Sequence, residues 1–133
     1  MADKVFVVDD DREFVEVVRT VLEANGYEVA AAYSGEEARG RVIEEQPDVI
    51  ILDVMMETKT AGFDMARWLR DHEETDAIPV VMLTAVNQEY PFQFGPDSIW
   101  LPVDKFLEKP VSPERLLAEV ERACTRKPSR END

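Results

Sequence analysis

The sequence predicts an α/β fold: one doubly wound parallel sheet of five strands with helices on both faces. Three observations predict it. Short runs that are wholly apolar, such as Val5–Val8, Val49–Leu52 and Val80–Leu83, recur along the chain. Amphipathic stretches with helical spacing lie between most of them. Polar residues follow the apolar runs directly. Strands apolar on both faces belong to parallel sheets covered on both sides, and strand–helix alternation supplies the covers through right-handed crossovers.

The elements follow in order. Val5–Val8 reads as a buried strand. Residues 12–25 place Phe14, Val17, Val18, Val21 and Leu22 at helical spacing, and Asn25-Gly26 supplies residues that tolerate a left-handed stop. Residues 27–33 form the second strand. Ser34 with Glu37 is a capping box for a helix that runs to about Gln46, where Pro47 stops it. Val49–Leu52 is the third strand, closed by Asp53. Residues 63–73 form a helix with Phe63, Ala66 and Leu69 on one side. Val80–Leu83 is the fourth strand, closed by Thr84. A short fifth covers about Lys105–Glu108, before Lys109-Pro110. Ser112-Pro113-Glu114 opens the last helix with a cap, a first-turn proline and an acid. Leu116, Leu117, Val120, Ala123 and Cys124 make its apolar face. One domain over residues 1–124 is expected, with a polar, disordered tail at 125–133.

Composition narrows the function. The chain has 133 residues, 29 acidic and 15 basic, for a formal net charge of −14. That field argues against direct nucleic-acid binding, which needs Lys and Arg to meet phosphates. No apolar run approaches the roughly 20 residues of a membrane span. The N-terminus lacks the basic-then-apolar plan of a signal peptide. A single cysteine, Cys124, precludes an internal disulfide and fits a reducing compartment, so a cytoplasmic location is expected. A single histidine, His72, disfavours His-based zinc sites and Ser-His-Asp triads, and no strand-linked glycine-rich phosphate loop is present.

The chemistry lies at the strand ends. In a parallel doubly wound sheet all carboxyl ends share one edge, where ligands sit. The residues expected there are Asp9 and Asp10, Asp53, Thr84 and Lys109. Three acids in one place need a partner, and an oxygen-rich site suits a hard cation, Mg²⁺ above all. A carboxylate can serve as nucleophile and form an aspartyl-phosphate. Mg²⁺, the Lys109 ammonium and the Thr84 hydroxyl would neutralise the phosphoryl oxygens.

With these residues in hand, "VFVVDDD", "DVIILDVMM", "VVMLTA" and "FLEKP" resemble the receiver domain of bacterial response regulators, the CheY-like proteins. The resemblance covers residues 4 to about 124. It implies the flavodoxin-like strand order 2-1-3-4-5 and phosphorylation of Asp53 by a sensor histidine kinase or phosphotransfer protein. It implies Mg²⁺ binding by Asp9, Asp10, Asp53 and the Met55 backbone carbonyl. Thr84 and Lys109 match the phosphate-contacting residues, and Thr84 and Phe106 the switch pair. A cis Lys109–Pro110 bond is also implied. The implied protein is a signalling phosphoacceptor in a two-component system, with only self-phosphorylation and slow autophosphatase chemistry.

Plainer readings stand beside these. Asp9 and Asp10 could be a helix-start cluster, Phe106 and Cys124 simple core residues, and His72 a solvated one; Asp11 is read as a helix cap. The chain also departs from the family. Glu57 stands where a proline is usual, and "ETKTAGF" is one residue longer than expected. Residues 85–104 carry Pro91, Gly95, Pro96 and Pro102, so the family's fourth helix is expected to be missing or cut to about a turn. Tyr90, Phe92, Phe94, Ile99 and Trp100 concentrate there, either as a loop folded over the sheet edge or as a partner surface. A homodimer is compatible with the chain, but the usual family face is put in question. Apolar Met55 and Val86 cannot orient a water, which predicts a long-lived phosphorylated form. The alternative function is a non-phosphorylated interaction module that binds through residues 90–100. No downstream protein target is identified, and the chain either acts alone or belongs to a longer one.

Overall fold

The computed structural model describes residues 3–54, 56, 61–85 and 105–126. Five strands, β1 (Lys4–Val8), β2 (Glu28–Ala32), β3 (Val49–Asp53), β4 (Val80–Ala85) and β5 (Lys105–Lys109), form one sheet in the order β2-β1-β3-β4-β5. Every neighbouring pair is parallel. The described helices are α1 (Arg12–Ala24), α2 (Gly35–Glu45), α3 (Ala61–Arg70) and α4 (Pro113–Arg126). The expected fold class and strand order are both present. The expectation for the family's fourth helix falls on residues 86–104, outside the described residues, as do Met55, Val86 and the aromatic segment 90–100.

Period-two alternation divides the core into two layers. Val5 and Val7 of β1 face the layer closed by α1 and α4, with Val15, Leu22, Leu116 and Val120. Phe6 and Val8 face the layer closed by α2 and α3, with Val42, Phe63, Met65 and Leu69. Val5, Phe6, Val7 and Val8 are all fully buried, which is why β1 carries no polar residue between Lys4 and Asp9. Burying each such side chain stabilises by about 1.5–3 kcal/mol, so truncation of Phe6 to Ala would cost about 3–5 kcal/mol.

Local chemistry sets the helix ends. The Asp11 side chain accepts the Phe14 N–H at 3.2 Å and caps α1. Gly26 follows that helix at φ 92°, where a side chain would be strained. Ser34 caps α2 by accepting the Glu37 N–H at 3.0 Å. Gln46 ends the helix at φ 50°, and Pro47 follows. Ser112 caps α4 through the Arg115 N–H at 3.1 Å. That helix continues through Thr125 to Arg126.

Helix α3 departs from the sequence reading at both ends. It begins at Ala61 rather than 63, because the Gly62 N–H donates to the Val54 carbonyl at 2.7 Å and draws the first turn onto β3. It ends at Arg70 rather than 73. The Thr75 hydroxyl donates to the Leu69 carbonyl at 2.7 Å, occupying the acceptor that another helical turn would use.

Candidate functional site

The strand order reverses between β1 and β3, since the chain leaves β1 toward β2 and then returns to its other side. The crevice at the carboxyl edge of these two strands is where side chains from separate segments converge. Asp9 directly follows β1, and Asp53 is the last residue of β3. Thr84 follows Leu83, the residue of β4 paired with Asp53, and Lys109 ends β5.

The convergence is close. Carboxylate oxygens of Asp9, Asp10 and Asp53 lie within 4.8 Å of one another. The Lys109 ammonium donates to Asp9 Oδ2 at 2.8 Å and lies 3.3 Å from Asp53 Oδ1. The Asp11 backbone N–H donates to Asp9 Oδ1 at 2.9 Å, so both Asp9 oxygens are engaged. Asp9 and Asp53 are only 1% and 6% exposed, whereas Asp10 faces solvent. Thr84 is buried. The Lys109–Pro110 peptide is cis, as the resemblance implied.

Burial dominates the electrostatics. It pushes the Asp53 carboxyl up to about 7, and the nearby Asp9 charge adds to the shift against the pull of Lys109. Burial also raises Asp9, partly offset by the hydrogen bonds from Lys109 and the Asp11 N–H. For Lys109, burial works against the charge, but the two carboxylates outweigh it and raise its pKa. Among the described residues, the two buried acids thus share one ammonium. Three carboxylates from two strand ends, held near one another with one ammonium among the described residues, form a hard oxygen donor set that fits a divalent cation such as Mg²⁺.

Of the residues singled out by sequence, Asp9, Asp10, Asp53 and Lys109 are brought together. Thr84 stands at the same edge, and Met55 is outside the described residues. Phe106 is not in the cluster. It pairs with Met82 in the sheet, half-buried, with its ring centroid 6.3 Å from that of Phe63. Asp11 is a cap, as read.

Three neighbours escaped the sequence reading. Gly62 packs so tightly that a Cβ there would lie 2.1 Å from the Asp53 carbonyl oxygen. The Arg12 guanidinium lies 3.9 Å from the Tyr33 ring centroid at the rim. The Phe14 ring centroid is 4.5 Å from Lys109 Nζ. The last had a signal available: Phe14 is an apolar residue in the first turn of α1, the turn that starts at the site edge.

A family model for the response regulator receiver domain matches residues 5–121. Transcriptional regulatory protein GltR of Pseudomonas aeruginosa is 36% identical over 116 residues, covering 87% of this chain and 46% of that protein. The chain therefore spans about half the length of that relative. Among solved structures, chemotaxis response regulator CheY4 of Vibrio cholerae superposes with a TM-score of 0.78 at 30% identity, over 92% of this chain and 99% of that one. The Francisella response regulator 1452 receiver domain superposes with a TM-score of 0.79 at 28% identity, over 93% of this chain and 98% of that one.

Proposed function

The chain belongs to the response regulator receiver domain family, and from that premise we propose that Asp53 is its phosphoacceptor in two-component signalling. The observation that carries the reading is the Lys109 ammonium set between Asp9 and Asp53, at 2.8 and 3.3 Å, beside a third acid. Asp9, Asp10, Asp53 and the Met55 carbonyl would hold Mg²⁺, which when bound neutralises phosphoryl oxygens and the carboxylates together.

The chain's own residues do the rest. Asp53 must be ionised to attack, and the Lys109 charge favours that form against burial. An Asp53 oxygen forms the new O–P bond in line with the P–N bond of a phosphohistidine. As that bond breaks, the imidazole nitrogen keeps the bonding pair and takes up a proton. Lys109 then stands within reach of a phosphoryl oxygen, and the Thr84 hydroxyl donates to another. The added charge and acceptors draw Thr84 inward and bias a two-state surface, with Phe106 as its aromatic reporter. The donor is a sensor histidine kinase or a phosphotransfer protein, and the output passes through protein contacts. Water later cleaves the acyl phosphate slowly.

The test is transfer from a labelled phosphohistidine protein in the presence of Mg²⁺. Label should reach the wild-type chain and not Asp53→Asn. A chain that takes no label from several such donors overturns the reading.

A further inference from the structure

We propose that Phe14 is a positioning residue for Lys109: its ring face holds the ammonium over the phosphoacceptor. The inference rests on the reading of Asp53 just given. Lys109 Nζ has three close supports among the described residues: Asp9 Oδ2 at 2.8 Å, Asp53 Oδ1 at 3.3 Å, and the Phe14 ring centroid at 4.5 Å. The third distance is well inside the range of a cation–π contact. It differs in kind from the other two. Asp9 and Asp53 are the carboxylates a divalent cation would share, so their pull on the ammonium is divided once the site is loaded. Among the described residues, the ring of Phe14 meets no competing cation.

Lysine needs such a support. Its stem has four rotatable carbons, and its head is a point charge with no preferred plane. An ammonium that loses part of its hold on Asp9 would sample solvent unless another surface keeps it in place. Phe14 can be that surface because its own backbone is fixed. Its N–H is bound by the Asp11 side chain at 3.2 Å, and its ring packs, half-buried, against the core layer beneath α1 and α4. The third aspartate of the "DDD" run thereby orients, at one remove, the lysine that answers the first.

A purely structural role makes a different forecast, so the test separates them. Phe14→Leu keeps apolar volume and removes the ring face; Phe14→Tyr keeps both. With acetyl phosphate as donor and saturating Mg²⁺, Phe14→Leu should take up phosphoryl roughly 3- to 30-fold more slowly, and Phe14→Tyr at nearly the wild-type rate. The Mg²⁺ concentration for half-maximal rate and the melting temperature of Phe14→Leu should stay near wild type. A second readout needs no phosphoryl transfer: with Lys109 Nζ over the ring, the adjoining ε-methylene protons should resonate upfield in the wild type and lose that shift in Phe14→Leu. A Phe14→Leu rate equal to wild type, a Phe14→Tyr rate as slow as Phe14→Leu, or an absent ring-current shift overturns the inference. A wild type that takes no phosphoryl while showing the shift overturns the reading of Asp53 and leaves the placement of Lys109 by Phe14 supported.

Discussion

Lys109 Nζ and Asp9 Oδ2 stand 2.8 Å apart although a hundred residues separate them in sequence. The contact reaches from the end of β5 to the end of β1, past β3 and β4. It ties the far side of the sheet to the switch-point crevice, and it places the Lys109 ammonium on the most deeply buried of the three acids.

That contact predicts a cost for its removal. Lys109→Met keeps the stem's volume but leaves Asp9 and Asp53 without their shared donor. Stability without Mg²⁺ at pH 8 should fall by about 1–3 kcal/mol, as expected for stranding a buried charged acceptor. Urea unfolding reads it. Added Mg²⁺ should recover much of the loss, because a cation held by the same oxygens would compensate them.

The raised Asp53 pKa predicts a pH dependence. A carboxyl held at about 7 in the folded chain binds its proton more tightly than in the unfolded chain, where about 3.8 applies. The folded state therefore loses stability as pH rises from about 4 through about 7, the span over which it carries the extra proton, and changes little above that. Asp53→Asn removes the effect. In metal-free buffer it should melt higher than wild type at pH 8, and the gap should close toward pH 4. A gap that widens on acidification would reverse the sign of the argument.

Two glycines predict opposite outcomes. Gly62→Ala puts a methyl 2.1 Å from the Asp53 carbonyl oxygen and 2.7 Å from the Val54 Cα, so α3 or the end of β3 must shift. The cost should be about 1–3 kcal/mol or more, with slower phosphoryl uptake at Asp53. Gly40→Ala, in the interior of α2 with nothing within 4 Å of the new Cβ, should stabilise by about 0.5–1 kcal/mol. Chemical denaturation of the two variants checks both signs.

The three consecutive aspartates should separate by function. Asp11→Ala removes the cap of α1 and should cost about 0.5–2 kcal/mol while Mg²⁺ affinity stays near wild type. Asp10→Asn should do the reverse: little change in metal-free stability, since Asp10 is exposed, and a clear loss of Mg²⁺ affinity. Calorimetric titration with Mg²⁺ beside thermal melts distinguishes them.

Much of this architecture was legible in the residues. The apolar runs gave the strands because a parallel sheet buries both strand faces. The first polar residues after them, Asp9, Asp53 and Thr84, marked the carboxyl edge. Strand order was not legible from periodicity, which carries no information about neighbours; it came from the resemblance. The start of α3 was missed because glycine disfavours helices locally, and only the approach of Gly62 to β3 makes it the right residue there. Phe14 was missed as a partner of Lys109 because an apolar residue on the inner face of a helix reads as core, which in part it is. The pairing of Lys109 with Asp9 ahead of Asp53 is a matter of side-chain reach that no motif spells out.

Asp53 is proposed to accept the phosphoryl group with the help of a divalent cation. Incubation with acetyl phosphate and Mg²⁺, followed by intact mass, tests it most directly. The expected result is the gain of one phosphoryl group, absent when the metal is chelated beforehand and absent in Asp53→Asn. No gain in the wild type, or an equal gain in Asp53→Asn, would contradict it.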